Sequence, residues 1–225
     1  MRSSAVPKQF LDFHGKPLIV HTLEHFEHHP EIDGIVVACI ADWIDYLRDL
    51  LSQFGIEKVR WVVEGGETGQ MSIYNALAAI EGDVDERAIV LVHDGVRPLI
   101  DAEMITRNIQ SVREHGSAVT AFHAIETPIV SEAGETVDEV LERSRVYIAQ
   151  APQSFYLSDL IACHRKAQAA GELDYIDSCS LYRESHPEVH LVAGSRSNIK
   201  VTTPEDYYVF RALSEFGSVR EIEGL

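Results

Sequence analysis

Four short stretches bring together residue types that handle anions and metal ions. The first, HDGVRP at residues 93–98, packs an acid, a small residue, a cation and a rigid proline into one turn. Asp94 could hold Mg²⁺ or a ribose hydroxyl there, and Arg97 could pair with Asp94 or with phosphate. A plain Asp–Arg surface pair organising the turn is the alternative. The second, EGGETGQMS at 64–72, lets backbone approach a ligand at Gly65 and Gly66 and places Ser72 near the head of a helix. A glycine turn followed by a helix cap has the same spelling, and the stretch is neither a P-loop nor a dinucleotide fingerprint.

The third stretch, SNIKVTTPED at 197–206, sets Lys200 inside an apolar run read as a strand, a costly position unless the ammonium meets an anion or a buried carboxylate. Asn198 and Thr202 flank it. The fourth, PKQ at 7–9, fixes Lys8 straight after a proline. Two sets of metal-ligating residue types carry less. His21, His25, His28 and His29 have helical spacings but no visible supporting residues, and a solvated helix face explains them. Cys39, Cys163 and Cys179 have no ligand spacing and are an odd number, which suits a reducing compartment such as the cytoplasm. No Ser–His–Asp or Cys–His arrangement stands out.

Charge sharpens the weight of the basic residues. With 36 acidic against 19 basic residues the formal net charge is −17, so nucleic acid and anionic membranes would be repelled. A bound anion must find a local cluster of Lys, Arg and backbone N–H groups. No apolar run approaches the length of a membrane span, and 225 residues suffice for one domain.

These stretches need elements to position them. GIVVACI, VRWVV, AIVLVH and SAVTAF read as strands, and between them the 18–26, 42–55, 71–80 and 102–115 segments have helical spacing, with Gly55 and Gly116 as stops. Strand and helix in alternation imply a Rossmann-like α/β fold, a mostly parallel sheet with helices on both faces. Ligands then bind beyond the carboxyl ends of the strands, where Gly65 and Asp94 fall. Residues 128–147 break the rhythm and read as a protruding hairpin arm around Gly134. After it come a helix over 158–170, a short helical piece near Asp177, strands VHLVAG and IKVTT, and a last helix from Pro204 to Phe216 with a frayed tail after Gly217.

The ordered set PKQFLDFHGKPLIVHTLEHF, VEGGETGQMSIYNAL, VLVHDGVRP, YIAQAPQSF and NIKVTTPEDY resembles the CTP-dependent polyol-phosphate cytidylyltransferases, the family of the 2-C-methyl-D-erythritol 4-phosphate and D-ribitol-5-phosphate enzymes. The resemblance implies a single nucleotidyltransferase domain whose arm dimerises. It places cytidine against Gly65, Gly66 and Ser72, ribose and Mg²⁺ near Asp94 and Gly95, and Arg97 in support of that turn. Lys8 would grip the triphosphate, and Thr127, Arg143, Asp177 and Lys200 would meet the polyol phosphate, with a partner subunit completing each site. Lys8, Lys200 and Arg143 would carry catalysis: in-line attack by the substrate phosphate on the α-phosphorus of CTP, releasing pyrophosphate, with no protein nucleophile.

Departures from the family pattern qualify this. The family's glycine-rich phosphate loop ends in arginine and methionine just before PKQ, and Met1 stands at that methionine's place, with Arg2 a poor substitute for the arginine. About twenty residues, on the order of one strand and its loop, are therefore expected ahead of Met1. A catalytically impaired nucleotide-binding or scaffold relative is the alternative reading. Gly69–Gln70 stands where the erythritol-phosphate enzymes carry an arginine, and Ile176, Asp177 and Cys179 also lean towards the ribitol-phosphate branch.

Overall fold

A computed structural model describes residues 6–223, with side chains to residue 215; Arg2 lies outside the described residues. The chain enters through a 3-10 turn, Lys8–Phe10, and a minimal hairpin, β1 (Asp12–Phe13) and β2 (Lys16–Pro17), before α1 (Leu18–Glu27). Strand–helix units follow: β3 (Ile35–Cys39) with α2 (Ile44–Phe54), β4 (Val59–Glu64) with α3 (Gly69–Ile80), and β5 (Ile89–Val92) with α4 (Ala102–His115). Next come β6 (Ser117–His123), the arm strands β7 (Ile129–Val130) and β8 (Glu139–Val140), and the long β9 (Tyr147–Tyr156). The chain continues through α5 (Leu157–Ala170), α6 (Ser178–Arg183), β10 (Leu191–Ala193) and α7 (Pro204–Glu223).

The helices form where periodicity places them, because each has an apolar stripe to bury. Leu18, Ile19, Leu23 and Phe26 of α1 and Leu47, Leu50 and Leu51 of α2 are all buried. Each such side chain contributes about 1.5–3 kcal/mol by leaving water. Caps set the ends: the Thr68 and Asp101 side chains accept from the Met71 and Met104 amides, and Gly55 and Gly116 take the left-handed conformation that stops α2 and α4.

The sheets are mixed rather than mostly parallel. β3 and β4 pair in parallel, and a second sheet has the order β10-β6-β9-β5. Within it β10 runs parallel to β6, but β9 runs antiparallel to both β6 and β5. The alternation of strand and helix does not announce β9, because its buried residues include Gln150, Gln153 and Ser154 and it carries Pro152. The proline is tolerated where the register slips between Val119 and Ala121, and Thr120 Oγ1 donates to the Pro152 carbonyl, 2.8 Å.

Three local expectations are corrected. IKVTT is not a strand: residues 199–203 form a loop tied to the core by the Val201 amide on the Val96 carbonyl, 2.9 Å. The last helix continues past Phe216 to Glu223. The four histidines are not one solvated face: His21 and His25 of α1 donate to the Phe13 and Pro98 carbonyls and His29, just past the helix, is buried against Thr106, while His28 is exposed.

Within residues 128–147 the chain forms the short antiparallel β7–β8 pairing, flanked by exposed Ile125, Val137 and Ile148. Among the described residues the two larger sheets do not pair with each other: β3 has β4 as its one ladder partner and β5 has β9, and both strands line a cavity of about 1040 Å³ walled by Leu23, Phe26, Leu77 and Ile80.

His164 on α5 is 1% exposed, and neither ring nitrogen has a partner among the described residues. Burial pushes its pKa from 6.5 down to about 4, so between those values the unfolded chain binds a proton that the folded chain refuses. Stability therefore falls as pH drops through that window. His164→Leu should raise stability by about 1–3 kcal/mol at pH 7, as an unpaired polar ring is removed. Urea unfolding of both proteins at pH 7 and pH 5 checks this: the advantage of the variant is expected to grow at pH 5.

Candidate active site

Strand β5 ends in a tight turn that gathers charge. The Arg97 amide donates to the Asp94 carbonyl at 3.0 Å, closing the turn, and Arg97 Nε donates to Asp94 Oδ2 at 2.8 Å. The other carboxylate oxygen, Oδ1, lies 2.8 Å from Lys200 Nζ. Burial alone would raise the Asp94 pKa, but Lys200 and Arg97 outweigh it and hold the carboxyl below its ordinary range. Asp94 is thus ionised and doubly held. His93 beside it is kept neutral by burial, its pKa about 4, and donates to the Arg97 carbonyl.

The loop that delivers Lys200 is fixed by amides. Arg97 donates to the Asn198 carbonyl at 2.8 Å, and Gln150 of β9 donates to the carbonyls of Asn198 and Ser195, each at 2.9 Å. Asn198, fully buried, returns a bond to the Ala151 carbonyl at 2.7 Å. A Cβ on Gly194 would lie 2.5 Å from Gln150 Oε1, so any other residue there would have to displace the Gln150 amide. These supports replace the strand ladder that sequence reasoning expected around Lys200, whose side chain remains 46% exposed.

The glycine loop forms a second cluster after β4. The Gly65 amide donates to the Cys39 carbonyl, 2.8 Å, and the Gly66 amide to Ser72 Oγ, 3.0 Å. A Cβ on Gly66 would meet Met71 Cβ at 2.4 Å, so only glycine lets the loop fold back on the first turn of α3. Ser72, Asp94 and Gly95 all border the cavity between β3 and β5, which brings the glycine loop and the Asp94 turn to one mouth. Gln9 borders it too, whereas Lys8 is exposed beside a smaller cavity of about 440 Å³ shared with Val201, Thr202 and Tyr207.

Asp177 has a structural task. It caps α6 through the Ser180 amide at 2.8 Å, and its Oδ2 accepts from Gln153 at 2.9 Å. Gln153 pairs with Val92 at the end of β5, so Asp177 is tied to the strand that carries Asp94. Thr127 and Arg143 are exposed at the arm, and Arg143 donates to the Ile125 carbonyl, 3.0 Å. Among the described residues neither bonds to Asp94 or Lys200. The structure thus joins Asp94, Arg97 and Lys200 directly, and Ser72, which receives the Gly66 amide, borders the same cavity as Asp94 and Gly95. Gln150 and Gln153 are the supports that strand-end reasoning missed, visible only as the glutamines of QAPQSF, whereas Asn198 stood out beside Lys200 but without its supporting role.

Metal ligation fits a sparse donor set. No group of three or more His, Cys, Asp or Glu side chains among the described residues could cage an ion, whereas Asp94 alone suits a cation that takes one carboxylate and the rest of its ligands from phosphates and water.

The family model for 2-C-methyl-D-erythritol 4-phosphate cytidylyltransferase, IspD, matches residues 1–215. A ribitol-5-phosphate cytidylyltransferase of Streptococcus agalactiae serotype Ia is 48% identical over 225 residues, covering 100% of this chain and 94% of that protein. A 2-C-methyl-D-erythritol 4-phosphate cytidylyltransferase of Geotalea uraniireducens is 39% identical over 208 residues, 92% of this chain and 88% of that one. Among solved structures, 4-diphosphocytidyl-2C-methyl-D-erythritol synthase from Anaerococcus prevotii superposes with a TM-score of 0.82 at 28% identity, covering 95% of this chain and 92% of the other. Asp94, Lys200 and the glycine loop are therefore set in the frame of a nucleotidyltransferase, and the chain belongs to the IspD family of cytidylyltransferases.

Proposed function

We propose that this enzyme transfers the cytidylyl group of CTP to D-ribitol 5-phosphate and releases pyrophosphate. The observation that carries the reading is the ionised Asp94 held between Lys200 and Arg97 at the end of β5, on a cavity that Ser72 of the glycine-loop turn also borders. Ribitol phosphate is favoured over 2-C-methyl-D-erythritol 4-phosphate because the relative named for it is the more similar, 48% against 39% identical.

Both reactants are anions, so the residues have to neutralise and align them rather than donate electrons. Gly65, Gly66 and Ser72 offer backbone and hydroxyl groups to the cytidine, and Gly95 keeps the Asp94 turn slim beside the ribose. Asp94 would hold Mg²⁺, which when bound neutralises phosphate charge. Lys200 would then leave Asp94 for a substrate phosphate, and Lys8 would serve the triphosphate. Arg97 stays with Asp94 and the Asn198 carbonyl, which fixes the turn. Thr127, Arg143 and Asp177 would receive the polyol phosphate.

The exposed apolar residues of the arm, Ile129, Val130, Val137 and Val140, support a homodimer in which a second copy covers them and brings its arm to the site. Unpaired cysteines suit the cytoplasm, and no helix among the described residues is long and apolar enough to cross a membrane.

With CTP and Mg²⁺, D-ribitol 5-phosphate is expected to release pyrophosphate at least tenfold faster than 2-C-methyl-D-erythritol 4-phosphate; the reverse order would move the enzyme to the other substrate. Lys200→Met should lower kcat by roughly 10²–10³-fold, the scale of a lost transition-state contact. Asp94→Asn should cost about 1–3 kcal/mol at pH 7 by leaving Lys200 and Arg97 without their anion. Because the folded pKa of Asp94 is depressed, that contribution is present above about 3.8 and lost as pH falls through the folded value, so the two urea midpoints should converge in acid.

A further inference from the structure

Gln70 is the second residue of α3, in the same helical turn as Ser72, and is 3% exposed. A glutamine buried to this degree has to place both ends of its amide. Both go to a single distant segment: Nε2 donates to the Glu172 carbonyl at 2.9 Å, and Oε1 accepts from the Tyr175 amide at 2.8 Å. The helix cap adds a third tie, Thr68 Oγ1 to the Leu173 carbonyl at 2.7 Å.

Residues 172–176 have little else to hold them. They join α5 to Asp177 at the head of α6, Leu173 is 42% exposed and Ile176 92%, and the segment lies in no helix or strand. Its other ties among the described residues are the Glu172 amide on the Ala167 carbonyl, continuing the end of α5, the Tyr175 hydroxyl on Glu172 itself, and the partly buried Tyr175 packed against the core around Leu77 and Tyr182. Held mainly by α3, the segment follows α3. The same turn of α3 receives the Gly66 amide on Ser72 Oγ.

We propose that Gln70 is a positioning residue that makes the glycine loop and the 172–177 segment one mechanical body, so that a nucleotide seated on Gly65 and Gly66 orders the route to Asp177. This rests on the reading of the glycine loop as the CTP site. Ordering one loop through contacts with the other couples the two halves of the site, because the entropy of fixing both is spent once. Gln70 touches neither reactant; it acts through the segment it holds.

Hydrogen–deuterium exchange tests this with CTP and Mg²⁺ as the probe. In the wild-type chain, saturating CTP should slow exchange at residues 173–177 at least threefold. In Gln70→Leu those amides should exchange at least tenfold faster without ligand, and CTP should no longer protect them. The KM for D-ribitol 5-phosphate should rise about tenfold with kcat changed less than twofold, a split that mere loss of folded protein would not give, since that lowers apparent kcat alone. If CTP binds the wild type without slowing exchange at 173–177, the proposal is overturned, with no variant needed. If CTP does not bind, the CTP-site reading fails, and the ligand-free comparison still decides whether Gln70 holds the segment: unchanged exchange in a folded Gln70→Leu protein would overturn that too.

Discussion

One carboxylate shared by two cations is the constraint on which the rest of the site depends. Asp94 is partly buried, its side chain 30% exposed, and burial without partners would push its carboxyl towards the protonated form. Lys200 and Arg97 keep it ionised, and each brings a different part of the chain with it. Arg97 closes the turn after β5 and reaches the Asn198 carbonyl; Lys200 comes from the loop that Asn198 and Gln150 hold in place. The pair is therefore more than a local turn: it joins the end of β5 to a loop about a hundred residues later, through β9.

That arrangement explains why β9 is polar where a central strand is usually apolar. Gln150 supports the Lys200 loop, Gln153 ties Asp177 to the end of β5, and Ser154 bonds Asn108 of α4 at 3.1 Å. A strand paired on both edges can carry such residues because its backbone is already satisfied and each side chain finds a fixed partner. The cost is rigidity, which suits a site whose work is alignment of anions.

The α/β character, the helix stripes and the strand-end position of Asp94 and Gly65 were legible in the sequence, because periodicity and strand-end rules are local. What escaped was set by distant partners. IKVTT alternates like a strand, yet Ile199 and Val201 pack as a loop against the 96–99 turn and no neighbouring strand receives them. The α1 histidines resemble a wet face until the carbonyls of Phe13 and Pro98 are placed beside them. Gln70 is an ordinary polar residue in the sequence, and only the fold brings Glu172 and Tyr175 to it. The family resemblance supplied roles for Thr127 and Arg143, which the fold leaves at the exposed arm, apart from the Asp94 cluster within one chain.

The central claim is that Lys200 holds Asp94 until a metal–nucleotide complex takes its place, while Arg97 stays and fixes the turn. Calorimetric titration of CTP into the wild-type chain and into Asp94→Asn, each with and without Mg²⁺, tests it most directly. Magnesium is predicted to tighten CTP binding about tenfold or more in the wild type, about 1.4 kcal/mol, and to change it less than twofold in the variant. An equal response to magnesium in both proteins would contradict the account.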